Sequence, residues 1–276
     1  KGTIIIFEEA LKVAKSDFTT STNFTPQMWD EYTKHNYAKF NVWHTWIEYI
    51  NRLVTVLSGI PILLMIAFSF FFLKEDKRIV FLSFLTLIAM GFQAWLGKEV
   101  VDSNLLPFKI TVHMVMAFII LAILLYLLFL VNKERNENIF PGSFKAVLIF
   151  SAVLTLIQVA LGTQVRQYID EQVKTLGENA KSEWLNPPAL NFYIHRSLSI
   201  LITITNLWLF YTNRKLNLGL FRMNWVMICI GLEIITGITM FYLDFPFLSQ
   251  PLHLVISSLL FGVQFYVLLK VFNPKK

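Results

Sequence analysis

Residues 108–131 read FKITVHMVMAFIILAILLYLLFLV, and this stretch decides the class of fold. It carries no charge after Lys109, and roughly 20 apolar residues in a helix suffice to cross the hydrocarbon core of a bilayer. In the 276-residue chain 55% of residues are apolar and 15% are charged, whereas soluble globular proteins carry about 25% charged residues. This composition excludes a disordered chain, a nucleic-acid-binding domain and an ordinary soluble enzyme.

Six further apolar runs flank this stretch, at residues 51–73, 79–97, 144–165, 192–212, 223–243 and 250–272. We therefore predict an all-α polytopic membrane protein with seven transmembrane helices. Two polar segments lie outside the runs. We expect an amphipathic helix near residues 4–14, and we expect the 166–191 loop to be partly helical. The single cysteine, Cys229, excludes an internal disulfide and a cysteine metal cluster.

Lysine and arginine are unequally divided between the two sides of the predicted bundle. Twelve lie in the loops after the first, third and fifth spans and in the C-terminal tail, and five lie in the alternate loops. Basic residues concentrate in cytoplasmic loops, so we expect an integral protein of the inner (cell) membrane with its C-terminus in the cytoplasm. Residues 1–47 then lie outside. The net charge of +6 has the same origin and does not indicate a nucleic-acid partner.

An internal repeat relates two parts of the chain. When Asn51 is aligned on His195, a pair of glycines six residues apart follows in both parts, at 91–97 and 231–237. The second glycine precedes a histidine by 16 residues in both parts, and these histidines are His113 and His253. Each part therefore contains the same pattern of three helices, which is typical of an internally duplicated membrane protein.

The repeat predicts two pseudo-symmetric four-helix bundles. The second part has an additional leading helix, 144–165, which the first part lacks, so we expect a complete protein of eight spans whose first span is missing from this chain. The predicted divisions are an extracytoplasmic segment (1–47), an incomplete N-terminal bundle (48–131), a cytoplasmic linker (132–143) and a C-terminal four-helix bundle (144–276).

Three of the five histidines lie at the outer ends of predicted spans. An ionisable residue in a membrane is a candidate functional residue, although a hydrogen bond to a neighbouring helix is the simpler interpretation. The repeat places His195 opposite His253 and pairs His113 with Asn51. Two facing imidazoles in a helix bundle are the usual axial pair of a haem. Zinc or di-iron would need further ligands, and Glu233 is an additional acid within a span without a supporting motif.

Other charged residues lie near the same level of the bundle. Glu48 precedes Asn51 by three residues and shares its helix face, so it is a candidate proton donor or acceptor. The alternative is an interfacial residue at the start of the helix. Arg52, Arg166 and Arg196 are candidates for binding haem propionates, and equally for extending to the membrane interface.

The ordered motifs resemble the haem A synthase family. The resemblance runs from about residue 40 to the C-terminal tail and rests on WIEYINR (46–52), QAWLG (93–97), HM (113–114), LGTQVR (161–166), HR (195–196) and QPLH (250–253). That family is an eight-span membrane enzyme made of two four-helix halves. It oxidises a ring methyl of haem O to a formyl group through successive hydroxylations, and the haem A produced is used by haem–copper terminal oxidases.

The resemblance implies a haem b cofactor ligated by His195 and His253 in the C-terminal half. It implies that His113 binds the substrate, haem O, and that Glu48 is the catalytic acid. It also implies an oxidoreductase that works with haem O synthase, the cytochrome oxidase assembly machinery and an electron donor, surrounded by membrane lipid. The oligomeric state stays open, a homo-oligomer included.

One position departs from the family. The family's Glu-x-x-His-Arg reads Glu-x-x-Asn-Arg here, with Asn51 in place of the histidine. An amide oxygen is a poor iron ligand compared with imidazole. Either His113 holds the substrate iron alone, with Asn51 as a hydrogen-bonding group on the open face, or this copy is inactive.

Three other functions remain open from the sequence. A di-haem, cytochrome b-like electron-transfer protein explains the histidines and arginines but not Glu48. An assembly factor that only holds haem explains the histidines equally well. A transporter is disfavoured because the polar groups cluster at the outer helix ends and not at the midplane.

Overall fold

A computed structural model describes residues 1–8, 10–32, 42–103, 106–132, 138–177 and 179–273. These residues form a small sheet followed by seven long helices. The helices are α1 (Val42–Ser69), α2 (Lys77–Asp102), α3 (Pro107–Asn132), α4 (Gly142–Leu176), α5 (Leu190–Lys215), α6 (Met223–Tyr242) and α7 (Ser249–Phe272).

The predicted all-α polytopic membrane fold is confirmed. Within the described part of the chain, six helices are long and apolar enough to cross a membrane, and α5 is not among them. Polar side chains such as His195, Arg196 and Asn206 interrupt its apolar sequence. Its 26 residues extend about 39 Å at 1.5 Å per residue, which exceeds a hydrocarbon core of about 30 Å. Because α5 packs against both α4 and α6, the fifth predicted span, 192–212, has the length and the neighbours of a transmembrane helix.

Helix ends follow local signals. The Asp76 side chain accepts a hydrogen bond from the Arg78 backbone N–H at 3.0 Å and so caps the start of α2. Helix α4 begins directly after Pro141 and ends at Gly177, whose φ of +89° suits a residue without a β-carbon. Pro61 lies inside α1, as is tolerated in transmembrane helices.

Helices α4 to α7 surround a common apolar core. Its completely buried side chains include Phe144, Leu148, Leu209, Met223, Val226, Val267 and Val271. The α1–α2–α3 part joins this bundle chiefly where α3 packs against α7. The rings of Phe118 and Phe261 meet there, with centroids 5.1 Å apart. Since α3 and α7 are the third helices of the two repeats, the contact between the parts follows the repeat.

The N-terminal segment contradicts one prediction. The described residues of the 4–14 stretch, 4–8 and 10–14, do not form an amphipathic helix; they contribute the first two strands of an antiparallel sheet. The strands are β1 (Ile4–Phe7), β2 (Ala10–Ala14) and β3 (Trp29–Glu31). The β-branched run Ile4-Ile5-Ile6 favours an extended chain, and Glu8, with a φ of +49°, reverses the chain between β1 and β2. Residues 33–41 of the predicted 1–47 segment lie outside the described residues.

The 166–191 loop is partly helical, as predicted. Helix α4 continues to Leu176, and a 3-10 turn follows at Lys181–Glu183. Trp184 then packs with Ile169 and Phe245, and its indole N–H donates to the Gly177 carbonyl at 3.1 Å. This segment therefore ties the C-terminal end of α4 to the α6–α7 turn. Five of the twelve residues of the predicted 132–143 linker, residues 133–137, lie outside the described part of the chain.

Candidate functional site

Three histidines occupy equivalent places in three helices. His113, His195 and His253 lie within the first two turns of α3, α5 and α7. All three are partly buried. The predicted placement near the ends of spans therefore agrees with the helices observed.

His195 and His253 lie together in the bundle of α4 to α7. Their ring centroids are 6.5 Å apart and the ring planes are inclined by 63°. Both rings line a cavity of about 480 Å³ between these four helices, which is within the usual size of a ligand pocket, about 300–1,000 Å³. The structure therefore brings these two predicted site residues together at one cavity.

The cavity is mostly apolar and opens to one side. Isoleucines of α5 and α6 line it together with the aromatic side chains of Phe192 and Phe241. Ile200, Ile204 and Ile238 are more than half exposed, so the cavity opens along the groove between α5 and α6. In a membrane this groove faces lipid or another protein.

The two imidazoles fit a haem. Two imidazoles across the core of a helix bundle are the ligand set that a haem iron would take. Within the described residues, the buried His195 Nδ1 has no hydrogen-bond partner. No group of three or more histidine, cysteine or acidic residues that could hold a bare metal ion is found in the same residues.

The acid Glu233 also belongs to this cavity. Its carboxylate Oε2 lies 3.0 Å from His253 Nε2, with the Glu233 side chain 17% exposed. On the other side of the ring, Thr236 Oγ1 lies 2.7 Å from His253 Nδ1. The sequence interpretation left Glu233 without a supporting motif, and the structure places it against a histidine.

The N-terminal candidates are not brought together in the same way. Glu48 forms an ion pair with Arg52 one turn along α1, and both residues and Asn51 are exposed. Among the described residues, no hydrogen bond or ion pair links Glu48 or Asn51 to His113. Helix α1 packs mainly against α2, so α3, which carries His113, is not its principal neighbour.

The three arginines have different surroundings. Arg52 pairs with Glu48, and Arg166 lies 3.6 Å from the carboxylate of Asp170 on the same helix. Arg196, next to His195, is the one of the three that lines the cavity. The geometry thus separates one candidate propionate-binding residue from two that pair with acids of their own helix.

Two glutamines were missed by the sequence analysis as site residues. Gln93 Nε2 lies 3.3 Å from His113 Nε2 and donates to the His113 carbonyl at 3.2 Å. Gln158 Nε2 lies 3.5 Å from His195 Nε2 and donates to the His195 carbonyl at 2.9 Å. Both glutamines stand four residues before a glycine, a spacing that is readable in the sequence.

Comparison with known proteins shows the family to which the chain belongs. The family model described as cytochrome oxidase assembly protein (COX15-CtaA) matches residues 8–265. The chain is similar to the protein named Heme A synthase of Wolbachia pipientis wMel, with 25% identity over 249 residues that cover 80% of this chain and 69% of the relative. It is also similar to the Heme A synthase of Wolbachia sp. subsp. Brugia malayi (strain TRS), with 25% identity over 241 residues covering 78% and 70%.

A third relative, the Heme A synthase of Wolbachia pipientis subsp. Culex pipiens (strain wPip), is 25% identical over 246 residues, which cover 80% of this chain and 72% of that protein. The family match includes α1 to α6, most of α7 and all three partly buried histidines. The chain therefore belongs to the family of cytochrome oxidase assembly proteins.

Proposed function

We propose that this integral membrane protein is a haem A synthase, which oxidises the ring methyl of haem O to the formyl group of haem A. The observation that carries the proposal is the His195–His253 pair across an apolar cavity, with ring centroids 6.5 Å apart. Three relatives carry the name Heme A synthase, which supports the choice among haem functions.

In this proposal His195 and His253 hold a haem b. When bound, the haem supplies one-electron transfer to and from the substrate side. The isoleucine walls of the cavity keep water from the ring faces, and a low-dielectric surrounding of this kind tunes a haem potential. Arg196 is placed to neutralise a propionate at the cavity edge.

On the substrate side His113 holds the iron of haem O. Its ring is supported from α2 by Gln93, and its buried Nδ1 has no hydrogen-bond partner among the described residues. Glu48 serves as the proton donor or acceptor and Arg52 orients its carboxylate through their ion pair. Asn51 leaves the second face of the substrate iron open, because an amide is a poor iron ligand.

Product analysis tests the proposal. The full protein containing this chain is expressed with haem O synthase in a host that lacks haem A, and the extracted haems are separated and weighed by mass spectrometry. We expect haem A or its hydroxylated intermediate, and we expect the Glu48→Gln variant to lose most of it. Bound haem b with unconverted haem O would instead indicate a cytochrome b-like electron-transfer protein or a haem-holding assembly factor.

We also propose the inner (cell) membrane as the location, with the C-terminus in the cytoplasm. The support is the excess of Lys and Arg in the loops on that side. A C-terminal fusion should be active with a cytoplasmic reporter and inactive with one that folds only outside. The reverse pattern would overturn the orientation.

Haem O synthase is a proposed partner, since a strongly apolar substrate is better passed directly or through lipid than through water. Crosslinking in the membrane tests this hand-over, and no crosslink between the two proteins would argue against it.

A further inference from the structure

Three of the 11 glycines in the chain stand four residues after a glutamine or glutamate: Gly97, Gly162 and Gly237. These are also the three glycines that lie against a histidine ring. A β-carbon at Gly97 would lie 3.3 Å from His113 Cε1, and one at Gly162 would lie 3.2 Å from His195 Cε1. At Gly237 the corresponding distance to His253 Cε1 is 3.9 Å.

The residue one turn before each glycine contacts the same histidine. Gln93 and Gln158 do so in one way: the amide donates to the carbonyl of the histidine and also lies against the ring nitrogen Nε2. Residues four apart lie on one face of a helix. Glycine therefore leaves space for the ring, and the amide one turn away holds the backbone that carries it.

The third copy differs in chemistry. Glu233 replaces the glutamine and contacts His253 Nε2 at 3.0 Å. Thr236 Oγ1 lies 2.9 Å from the Leu232 carbonyl, to which it donates, so it is free to accept from His253 Nδ1 at 2.7 Å. This bond favours the tautomer with the proton on Nδ1, so that the lone pair of Nε2 faces the Glu233 carboxyl. Nε2 is then the nitrogen that would ligate a haem iron once the carboxyl moves aside.

We propose that Gln/Glu-x-x-x-Gly is the histidine-positioning motif of this protein, with Gln93, Gln158 and Glu233 as positioning residues for His113, His195 and His253. The inference rests on the proposed haem function. It assigns Gln93, which lies in the family-like QAWLG motif, a role that the resemblance did not give it, and it adds Gln158 and Glu233. In this proposal each haem-binding histidine is oriented by the helix that packs beside its own.

The test measures haem binding, not turnover. The full protein is purified as Gln158→Leu, Gly162→Ala and His195→Ala variants, and haem affinity and the low-spin electron paramagnetic resonance signal are recorded. We expect Gln158→Leu and Gly162→Ala each to weaken haem binding about 10-fold and to shift the signal, as loss of supporting contacts around a metal ligand does. Gly237→Ala should have a smaller effect because its β-carbon has more room.

Two further variants make the result decisive. Gln164→Leu, at an exposed position of the same helix, should leave haem binding unchanged. Gln158→Ala removes the N–H that bonds to the His195 carbonyl and places the strongest helix former at this position, so it should weaken binding even if Gln158→Leu does not fold.

The outcomes separate the motif from the function. If His195→Ala abolishes haem binding while Gly162→Ala and Gln158→Ala keep the haem affinity and the resonance signal of the unaltered protein, the positioning motif is wrong and the haem site stands. If His195→Ala keeps its haem with an unchanged signal, the proposed haem site itself is wrong.

Discussion

At Asn51 an amide stands where the repeat has an imidazole in the other half. Asn51 is exposed on α1, and its carbonyl accepts a hydrogen bond from Thr55 at 2.9 Å. The Asn51 side chain is thus accessible to a ligand or a protein segment that packs against this face of α1. The proposed open face of the substrate iron therefore depends on this one residue, because an amide is a poorer iron ligand than an imidazole.

Replacing Asn51 tests the open-face proposal. We expect Asn51→His to give a bis-histidine spectrum at the substrate haem and about 10-fold lower turnover, since the second axial position becomes occupied. Absorption spectra and haem A formation in the full protein measure the two effects.

Ile50→His serves as a control because it places a histidine on a neighbouring exposed position of α1. Ile50→His should change neither the absorption spectrum nor haem A formation. Turnover that rises from zero in Asn51→His would show that the natural copy is inactive and that the open-face proposal is wrong.

At the level of elements, each helix depends on a few local and interhelical bonds. The start of α2 depends on Asp76, which accepts hydrogen bonds from the Arg78 backbone and guanidinium. Hydrogen bonding from Arg78 holds the pKa of the Asp76 carboxyl below its ordinary value. Asp76 precedes α2 and lies outside the membrane-spanning residues.

We expect Asp76→Ala to lower the free energy of unfolding by about 1 kcal/mol, the usual effect of losing an N-cap. A carboxyl with a lowered pKa stabilises the fold fully above its unfolded pKa of about 3.9, and this contribution is lost as the pH falls through the lower folded value. The deficit of the variant should therefore be constant near pH 7 and shrink below about pH 4.

Circular dichroism melts in detergent at several pH values measure this effect. Asp76→Asn is the matched variant, because asparagine also caps helices but does not titrate. A deficit of Asp76→Ala that grows on acidification would contradict the assignment.

A buried polar cluster holds three helices together. Ser151 of α4, Asn206 of α5 and Gln264 of α7 are completely buried. Asn206 Nδ2 donates to Ser151 Oγ at 2.7 Å, and Gln264 Nε2 lies 3.2 Å from both Ser151 Oγ and Asn206 Oδ1. Bonds of this kind between transmembrane helices contribute about 0.6 kcal/mol on average.

We expect Asn206→Leu to destabilise the C-terminal bundle by about 1–3 kcal/mol, because Gln264 and Ser151 are left as buried polar groups with fewer partners. Unfolding in a mixed detergent titration measures the loss. Thr205→Val is the control, since the Thr205 hydroxyl bonds only to carbonyls of its own helix. An equal loss of stability in both variants would show that the buried cluster stabilises the bundle no more than a hydrogen bond within one helix does.

At the scale of the whole molecule, the contact of α3 with α7 joins the two repeats. Gly262 of α7 lies against Leu121 and Leu125 of α3, where an added β-carbon would meet their methyl groups at 3.7 and 3.4 Å. The small residue lets the two helices approach closely, as is common in membrane helix packing.

We expect Gly262→Leu to destabilise the protein by about 1–3 kcal/mol, because a large side chain must push α3 away from α7. Gly262→Ala adds only the β-carbon, at ordinary contact distances, and should be nearly neutral. Thermal unfolding of both variants provides the comparison. Equal stability of the two variants would show that this contact does not set the spacing of the helices.

Much of the molecule was predictable from local sequence. The seven helices follow apolar runs because a membrane-crossing segment is set by its own length and composition. The end of α4 was less predictable: helix continues beyond residue 165 to Leu176 through polar residues, where apolar periodicity ends but the Trp184 cluster still packs against the helix.

The N-terminal sheet shows why the prediction of an amphipathic helix near residues 4–14 failed. Residues 4–14 have a pattern compatible with an amphipathic helix, but Ile4 pairs with Val13 and Lys12 with Glu31 in an antiparallel sheet. The stacked rings of Phe7 and Phe24, with centroids 3.6 Å apart, add contacts between residues distant in sequence. Sheet formation depends on such pairings, which no single segment encodes.

By itself the sequence determined the membrane class, the positions of the helices and the repeat that pairs His195 with His253, because these depend on composition and spacing along the chain. Only the tertiary structure decided which side chains of different helices meet: Glu233 against His253, Gln158 against His195, and Gln93 against His113. The physical reason is that a contact between helices depends on their relative rotation and approach, which the packing of the whole bundle sets.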